Sequence, residues 1–146
     1  MSYLFDTNCF VRLTEEQSPH RIIVLAAIRK LRSEGQRLCC TPQVLAEFWN
    51  VSTRPASARG GLGLTTEQTE RKVSIIEKYF ELLPDDLSTF LHWRKLVFDL
   101  DISGVQVHDA KLVASLIAHR IEHLVTLNIK DFQRFPNISV IDPHDI

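Results

Sequence analysis

Hydrophobic positions in this chain fall into two kinds of run. Short, nearly unbroken ones read as buried strands: Tyr3-Leu4-Phe5, Arg37 to Cys40, Leu82-Leu83, Leu124 to Thr126 and Ser139 to Ile141. Between them, apolar residues recur at helical spacing. Ile22, Ile23, Leu25, Ala26, Ile28 and Leu31 are interleaved with Arg21, Arg29, Lys30 and Arg32, with a Ser18-Pro19 start and a Gly35 stop. Thr41-Pro42 predicts an N-cap and first helical residue for a helix carrying Val44, Leu45, Phe48 and Trp49 and ending before Pro55. Thr65-Thr66-Glu67 opens a helix with Val73, Ile76, Tyr79 and Phe80 on one face. Phe90, Trp93, Leu96, Val97 and Leu100 mark another from Asp86 to Leu100, and Ala110, Val113, Ala114 and Ile117 a last one from Val107 to Arg120. Residues 55–64 hold three of the five glycines and read as a mobile loop or a hinge between helices.

Short strands alternating with longer helices predict an α/β domain whose mainly parallel sheet is covered by helices. The 146 residues suit one domain spanning 1–146, with 45% hydrophobic and 24% charged residues, an ordinary globular balance. A formal net charge of −1 excludes wholesale electrostatic capture of nucleic acid, so any phosphate contact must come from a local patch or from bound cations. The three cysteines, Cys9, Cys39 and Cys40, lack zinc-site spacing and read as small buried filler. No basic region followed by a long apolar one stands near the start, and no apolar run approaches the length of a membrane span. The expectation is a cytoplasmic protein with no membrane partner.

The candidate chemistry is acidic. Asp6 stands where the first strand emerges, and ligands of open parallel sheets bind beyond the carboxyl ends of the strands. Glu47 lies one to two turns into the Pro42 helix, Asp109 at the start of the last long helix, and Asp131 just after Thr126-Leu127-Asn128. In a parallel sheet these positions can converge on one edge. Clustered carboxylates repel one another, and a hard divalent cation with oxygen ligands relieves that repulsion. One or two such ions can activate water and offset the charge building on a phosphodiester. Asn8 and Asn128 offer neutral oxygens, and Thr7 or Thr126 a hydroxyl to orient a carboxylate. Each acid also has a plainer role: Asp6-Thr7-Asn8 as a turn, Glu47 as a solvated helix residue, Asp109 as an N-cap or first-turn acid, Asp131 as a turn residue. His108 points elsewhere if its neighbour Asp109 faces the site and reads as a packing residue, and His119 and His123 lack ligand spacing. The glycine segment lacks the Lys-Ser/Thr pair of a phosphate-cradling loop.

YLFDTNCFVRL, TPQVLAEFWNVSTRP, SGVQVHDAKLVA and TLNIKDF, in that order across the chain, resemble the acidic motifs of PIN-domain ribonucleases, and among these VapC-like toxins of type II toxin–antitoxin pairs. The resemblance implies a three-layer α/β/α sandwich around a mainly parallel sheet, and RNA cleavage dependent on Mg2+ or Mn2+. It matches Asp6, Glu47 and Asp109 to the three principal metal-binding acids and leaves the fourth place to Asn128 or Asp131. It also implies a homodimer and a cognate antitoxin, with Phe48, Trp49, Tyr79 and Phe80 available to core, dimer or antitoxin. Arg54, Arg59 and Lys111, close in sequence to the acidic motifs or the glycine loop, are candidates for contact with the backbone of single-stranded or looped RNA.

Two other readings compete. A phosphatase of the haloacid dehalogenase type also begins with an apolar strand and an Asp, but needs a second Asp two residues on, where this chain has Asn8. A PIN-like scaffold that binds RNA or a partner without cutting is the other.

Overall fold

The computed structural model describes residues 1–146. Five strands, β1 (Ser2–Phe5), β2 (Arg37–Cys40), β3 (Glu81–Leu82), β4 (His123–Val125) and β5 (Ser139–Ile141), form one sheet in the order β3-β2-β1-β4-β5. Every pairing is parallel, with Leu4 beside Cys39 on one flank and Leu124 on the other. Central β1 is buried along its whole length, as a strand covered on both faces must be.

Six α-helices connect the strands: α1 (Thr7–Thr14), α2 (His20–Ser33), α3 (Pro42–Thr53), α4 (Thr66–Tyr79), α5 (Leu87–Asp99) and α6 (Gln106–Ala118). From β1 the chain steps outward twice, through α1–α2 and then α3–α4. It then crosses back over β1 through α5–α6 to β4. Right-handed crossovers taken in opposite directions put α1–α4 on one face and α5–α6 on the other, giving the three-layer α/β/α sandwich. Phe80 packs edge to face on both Phe5 and Phe10, with ring centroids 5.2 and 4.9 Å apart. The reversal of direction creates a switch point between β1 and β4, where the strand ends splay to leave a crevice.

Local chemistry sets most boundaries. The Thr41 hydroxyl accepts the Val44 N–H to cap α3, and Thr65 with Gln68 forms a reciprocal capping box on α4. Gly35, in the left-handed region at φ 72°, follows α2. Two expectations are corrected. Asp6-Thr7-Asn8 does not form a simple turn: Asp6 is the N-cap of α1. Residues 55–64 link α3 and α4, as a hinge would, but they are folded back on the end of α3. Leu62 N–H donates to Val51 O, Gly63 N–H to Arg54 O and Leu64 N–H to Ser52 O. Phe48 and Phe80 belong to the core, Trp49 is partly buried against it, and Tyr79 is exposed with Arg32 over its ring. No helix is long and apolar enough to cross a membrane.

Candidate active site

β1 delivers Asp6 to the switch point. Its Oδ1 accepts the Thr7 N–H at 2.7 Å, and its Oδ2 accepts Asn8 Nδ2 at 3.0 Å and the Thr126 hydroxyl at 2.8 Å. Thr126 immediately follows β4, so the two strands flanking the crevice are tied through one carboxylate oxygen. Asn8 strengthens the tie: its Oδ1 accepts the Leu127 N–H at 3.1 Å, and its Nδ2 also donates to Thr126 Oγ1 at 3.0 Å. Asn8 therefore spends its oxygen on the backbone and orients Asp6 rather than offering a neutral ligand.

Glu47 stands behind Thr7. Its Oε2 accepts the Thr7 hydroxyl at 2.7 Å and its Oε1 accepts Gln43 Nε2 at 2.9 Å, while Gln43 also donates to the His108 carbonyl one residue before Asp109. Asp109 lies in the first turn of α6, half-buried. Asn128 and Asp131 come from the 3-10 turn Ile129–Phe132 after β4, both exposed. Asp6, Asp109, Asn128 and Asp131 line one open cleft of about 350 Å³.

Electrostatics mark these acids as one group. Burial, with added repulsion from Glu47 and Asp131, pushes the Asp6 carboxyl up to about 6, against the hydrogen bonds from Thr126 and Thr7 that favour its charge. Burial first, then the charges of Asp6, Asp131 and Glu47, raises Asp109 to about 6 as well. Strongly shifted acids gathered in a cleft are a mark of functional sites.

No three of the chain's Asp, Glu, His and Cys side chains are drawn together closely enough to cage an ion as they stand. The donor set nonetheless fits a hard divalent cation, because such ions need only one or two carboxylates and complete their shell with water. Asp6 Oδ1 carries a single hydrogen bond and keeps one lone pair facing its surroundings, whereas Oδ2 is fully committed. The raised carboxyls are those a cation would return to the charged form.

The basic residues divide. Arg54 lines the same cleft. Arg59 is exposed, and its contribution is a carbonyl that accepts Arg54 Nη1 at 2.9 Å. Lys111 points elsewhere, paired with Asp85 at 2.8 Å in a separate cavity beside Phe90 and Trp93. Sequence reasoning missed Arg12, which also lines the acidic cleft. Its only signal is its place on α1, one turn beyond Asn8.

A parallel sheet with acids gathered at its switch point defines an α/β protein built to act beyond its strand ends. The PIN domain family model matches residues 3–138, and the chain belongs to that family. Among solved structures it is similar to VapBC2 from Rickettsia felis bound to a promoter DNA fragment. There the TM-score is 0.73 and the identity 22%, over 97% of this chain and 98% of that one. VapBC-1 from nontypeable Haemophilus influenzae gives a TM-score of 0.70 at 20% identity, covering 98% of each chain. Mycobacterium tuberculosis VapC20, described as a Sarcin-Ricin loop cleaving toxin, gives 0.57 at 14% identity over 84% and 86%. At these identities the likeness establishes the fold, which is VapC-like. No curated protein matches the chain in sequence. Membership in the PIN family sets aside the phosphatase reading, and the geometry agrees: Asn8 clamps Asp6 and leaves no acid two residues on to serve as proton donor.

Proposed function

We propose that this protein is a metal-dependent endoribonuclease, the toxin of a toxin–antitoxin pair, with residues 1–146 acting as one nuclease unit. The observation that carries the reading is the electrical coupling of Asp6, Glu47, Asp109 and Asp131 at the switch point of a PIN sheet. Asp6 and Asp109 would hold Mg2+ or Mn2+. Asp131 or Asn128 completes the site from the turn after β4, and Glu47 acts through Thr7. When bound, the cation supplies an acidified water and charge compensation for the phosphate.

The chain's own groups do the rest. Asn8 and Thr126 hold Asp6 Oδ2, fixing the direction of Oδ1. Gln43 links Glu47 to the backbone just before Asp109, coupling α3 to α6. Asp131, exposed in the same cleft, would take the proton of an attacking water in this reading. No Ser, Cys or His nucleophile lines the cleft.

The partners follow the same reading. RNA is the substrate, and the toxin role brings a second copy and a protein antitoxin. The PIN match and the VapBC-type folds support this. So does α5, which leaves Leu87, Phe90, Leu91 and Phe98 exposed, Phe98 at 85%. Apolar surface gathered in this way marks protein contact sites.

Cleavage tests the reading. Single-stranded and stem-loop RNAs incubated with the purified chain are expected to be cut with Mn2+ or Mg2+ and left intact with EDTA. The products should lack 2′,3′-cyclic phosphates, because water and not the ribose hydroxyl attacks. Cutting that persists in EDTA, or cyclic-phosphate ends, would remove the metal mechanism.

A further inference from the structure

A cleft floored by Asp6, Asp109 and Asp131, with Glu47 behind Thr7, repels the polyanion it is meant to cut, and the net charge of −1 supplies no general attraction. Local cations must offset the floor. Two arginines line that cleft, one from each neighbouring element. Arg12 comes from the face of α1 that also presents Asn8 and Val11, and Arg54 is the C-cap residue of α3.

Their settings differ. Arg12 Nη1 reaches both carboxylate oxygens of Glu15, at 2.9 and 3.0 Å, in an exposed pair three residues apart. Such a pair contributes little to stability and is readily exchanged. Arg54 makes no ion pair. One of its terminal nitrogens is held by the Arg59 carbonyl, leaving the rest of the guanidinium unpartnered.

The glycine segment is shaped around Arg54. Gly63 N–H donates to the Arg54 carbonyl at 2.8 Å, and Gly60 and Gly63 take left-handed φ of 74° and 64°. A Cβ on Gly61 would strike the carbonyl oxygens of Pro55 and Arg54. The fold thus uses a turn open only to glycine to hold the backbone of an arginine that lines the acidic cleft.

We propose that Arg12 and Arg54 form a phosphate clamp on the wall of the acidic cleft. It holds backbone phosphates of a single-stranded RNA next to the one being cut. Glu15 keeps Arg12 in place while the cleft is empty and yields it to phosphate, for which the planar guanidinium is well matched. The inference deepens the ribonuclease reading and rests on it. It leaves Lys111, paired with Asp85, out of substrate contact.

The test is binding of a fluorescent single-stranded RNA to the full chain by anisotropy. The background is Asp6→Asn in Mn2+, over a series of salt concentrations. Arg12→Gln and Arg54→Gln are each expected to weaken binding about tenfold, as loss of a charge-assisted hydrogen bond does. Each should also reduce the slope of log K against log salt by about 0.7, one phosphate contact on a single strand. Arg54→Lys restores the slope, which a merely structural role for Arg54 would not do, and Lys111→Gln leaves both quantities unchanged. Unaltered affinity and slope in the double variant, with an unchanged melting temperature, would overturn the clamp. Failure of the wild-type chain to cleave any RNA would instead overturn the ribonuclease reading, while the salt slope still reports on the arginines.

Discussion

The Thr126 hydroxyl donates to Asp6 Oδ2 at 2.8 Å while its oxygen accepts Asn8 Nδ2 and the Asn128 N–H. Thr126 is fully buried, so this one oxygen joins β1, α1 and the turn that carries Asn128 and Asp131. Thr126→Val keeps the shape and removes the junction, leaving the Asn128 N–H without an acceptor and Asn8 Nδ2 with Asp6 Oδ2 alone. The expected cost is about 2 kcal/mol, read as a melting temperature lower by roughly 4–8 °C. Losing a bond that favours its charged form also moves Asp6 further above 6. Cleavage by Thr126→Val should therefore need a higher pH, and Thr126→Ser should recover both properties.

The acids make the metal-free protein respond to pH in an unusual direction. Asp6 and Asp109 titrate near 6 in the folded chain against an ordinary 3.8. Between those values the folded state binds more protons than the unfolded one, so stability in EDTA should rise as pH falls from about 6.5 to about 4.5. Glu81 and Glu122, held below their ordinary 4.5 by Arg37 and by Ser2, work the other way only at lower pH. Mn2+ competes with protons for the same oxygens, so its affinity should climb through pH 6. Urea melts at pH 7, 6 and 5 check the first statement, and removal of the slope in the Asp6→Asn, Asp109→Asn double variant checks its source.

Gly61 packs against the carbonyls of Arg54 and Pro55, so Gly61→Ala forces the segment away from α3. Overpacking of this kind costs about 1–3 kcal/mol. The lesion should be local: RNA binding weakens as in Arg54→Gln. Combining the two should add little, because they disable one group.

All three cysteines are buried, and burial pushes Cys9 well up, Cys39 to about 11 and Cys40 to about 12. Thiolate is the reactive species. Ellman's reagent at pH 8 should therefore modify the native chain only at the rate of unfolding, and all three thiols at once in denaturant.

Much of this was legible in the chain. Thr41-Pro42 named its helix start because a capping hydroxyl and a proline at the first turn act locally, and the apolar run at Tyr3 named the central strand because both its faces are buried. α1 escaped because it is only 8 residues long and its cap is the very Asp-Thr-Asn that also suits a turn. The strand at Leu82 slid by one residue because its place depends on pairing with Cys39 and Cys40, which is not local. In the site, the acids were visible because a carboxylate at a strand end is badly placed for packing. The cations were not: nothing in sequence separates Arg54, which lines the cleft beside a glycine turn, from Lys111, turned away to Asp85. Arg12 carries no signal of its own in the chain, because the short helix that brings it to the cleft is itself hidden in the Asp-Thr-Asn segment.

The central claim is that Asp6, Glu47, Asp109 and Asp131 form one metal-dependent cutting site. The most direct measurement is the rate of RNA cleavage in Mn2+ by the wild-type chain and by Asp6→Asn, Glu47→Gln, Asp109→Asn and Asp131→Asn, with melting temperatures taken in parallel. The account predicts that Asp6→Asn and Asp109→Asn lose at least about a hundredfold, as enzymes do when a group aimed at developing charge is removed, while remaining folded. Glu47→Gln and Asp131→Asn should lose less. Full cleavage by folded Asp6→Asn, or cleavage by the wild type that is indifferent to EDTA, would contradict it.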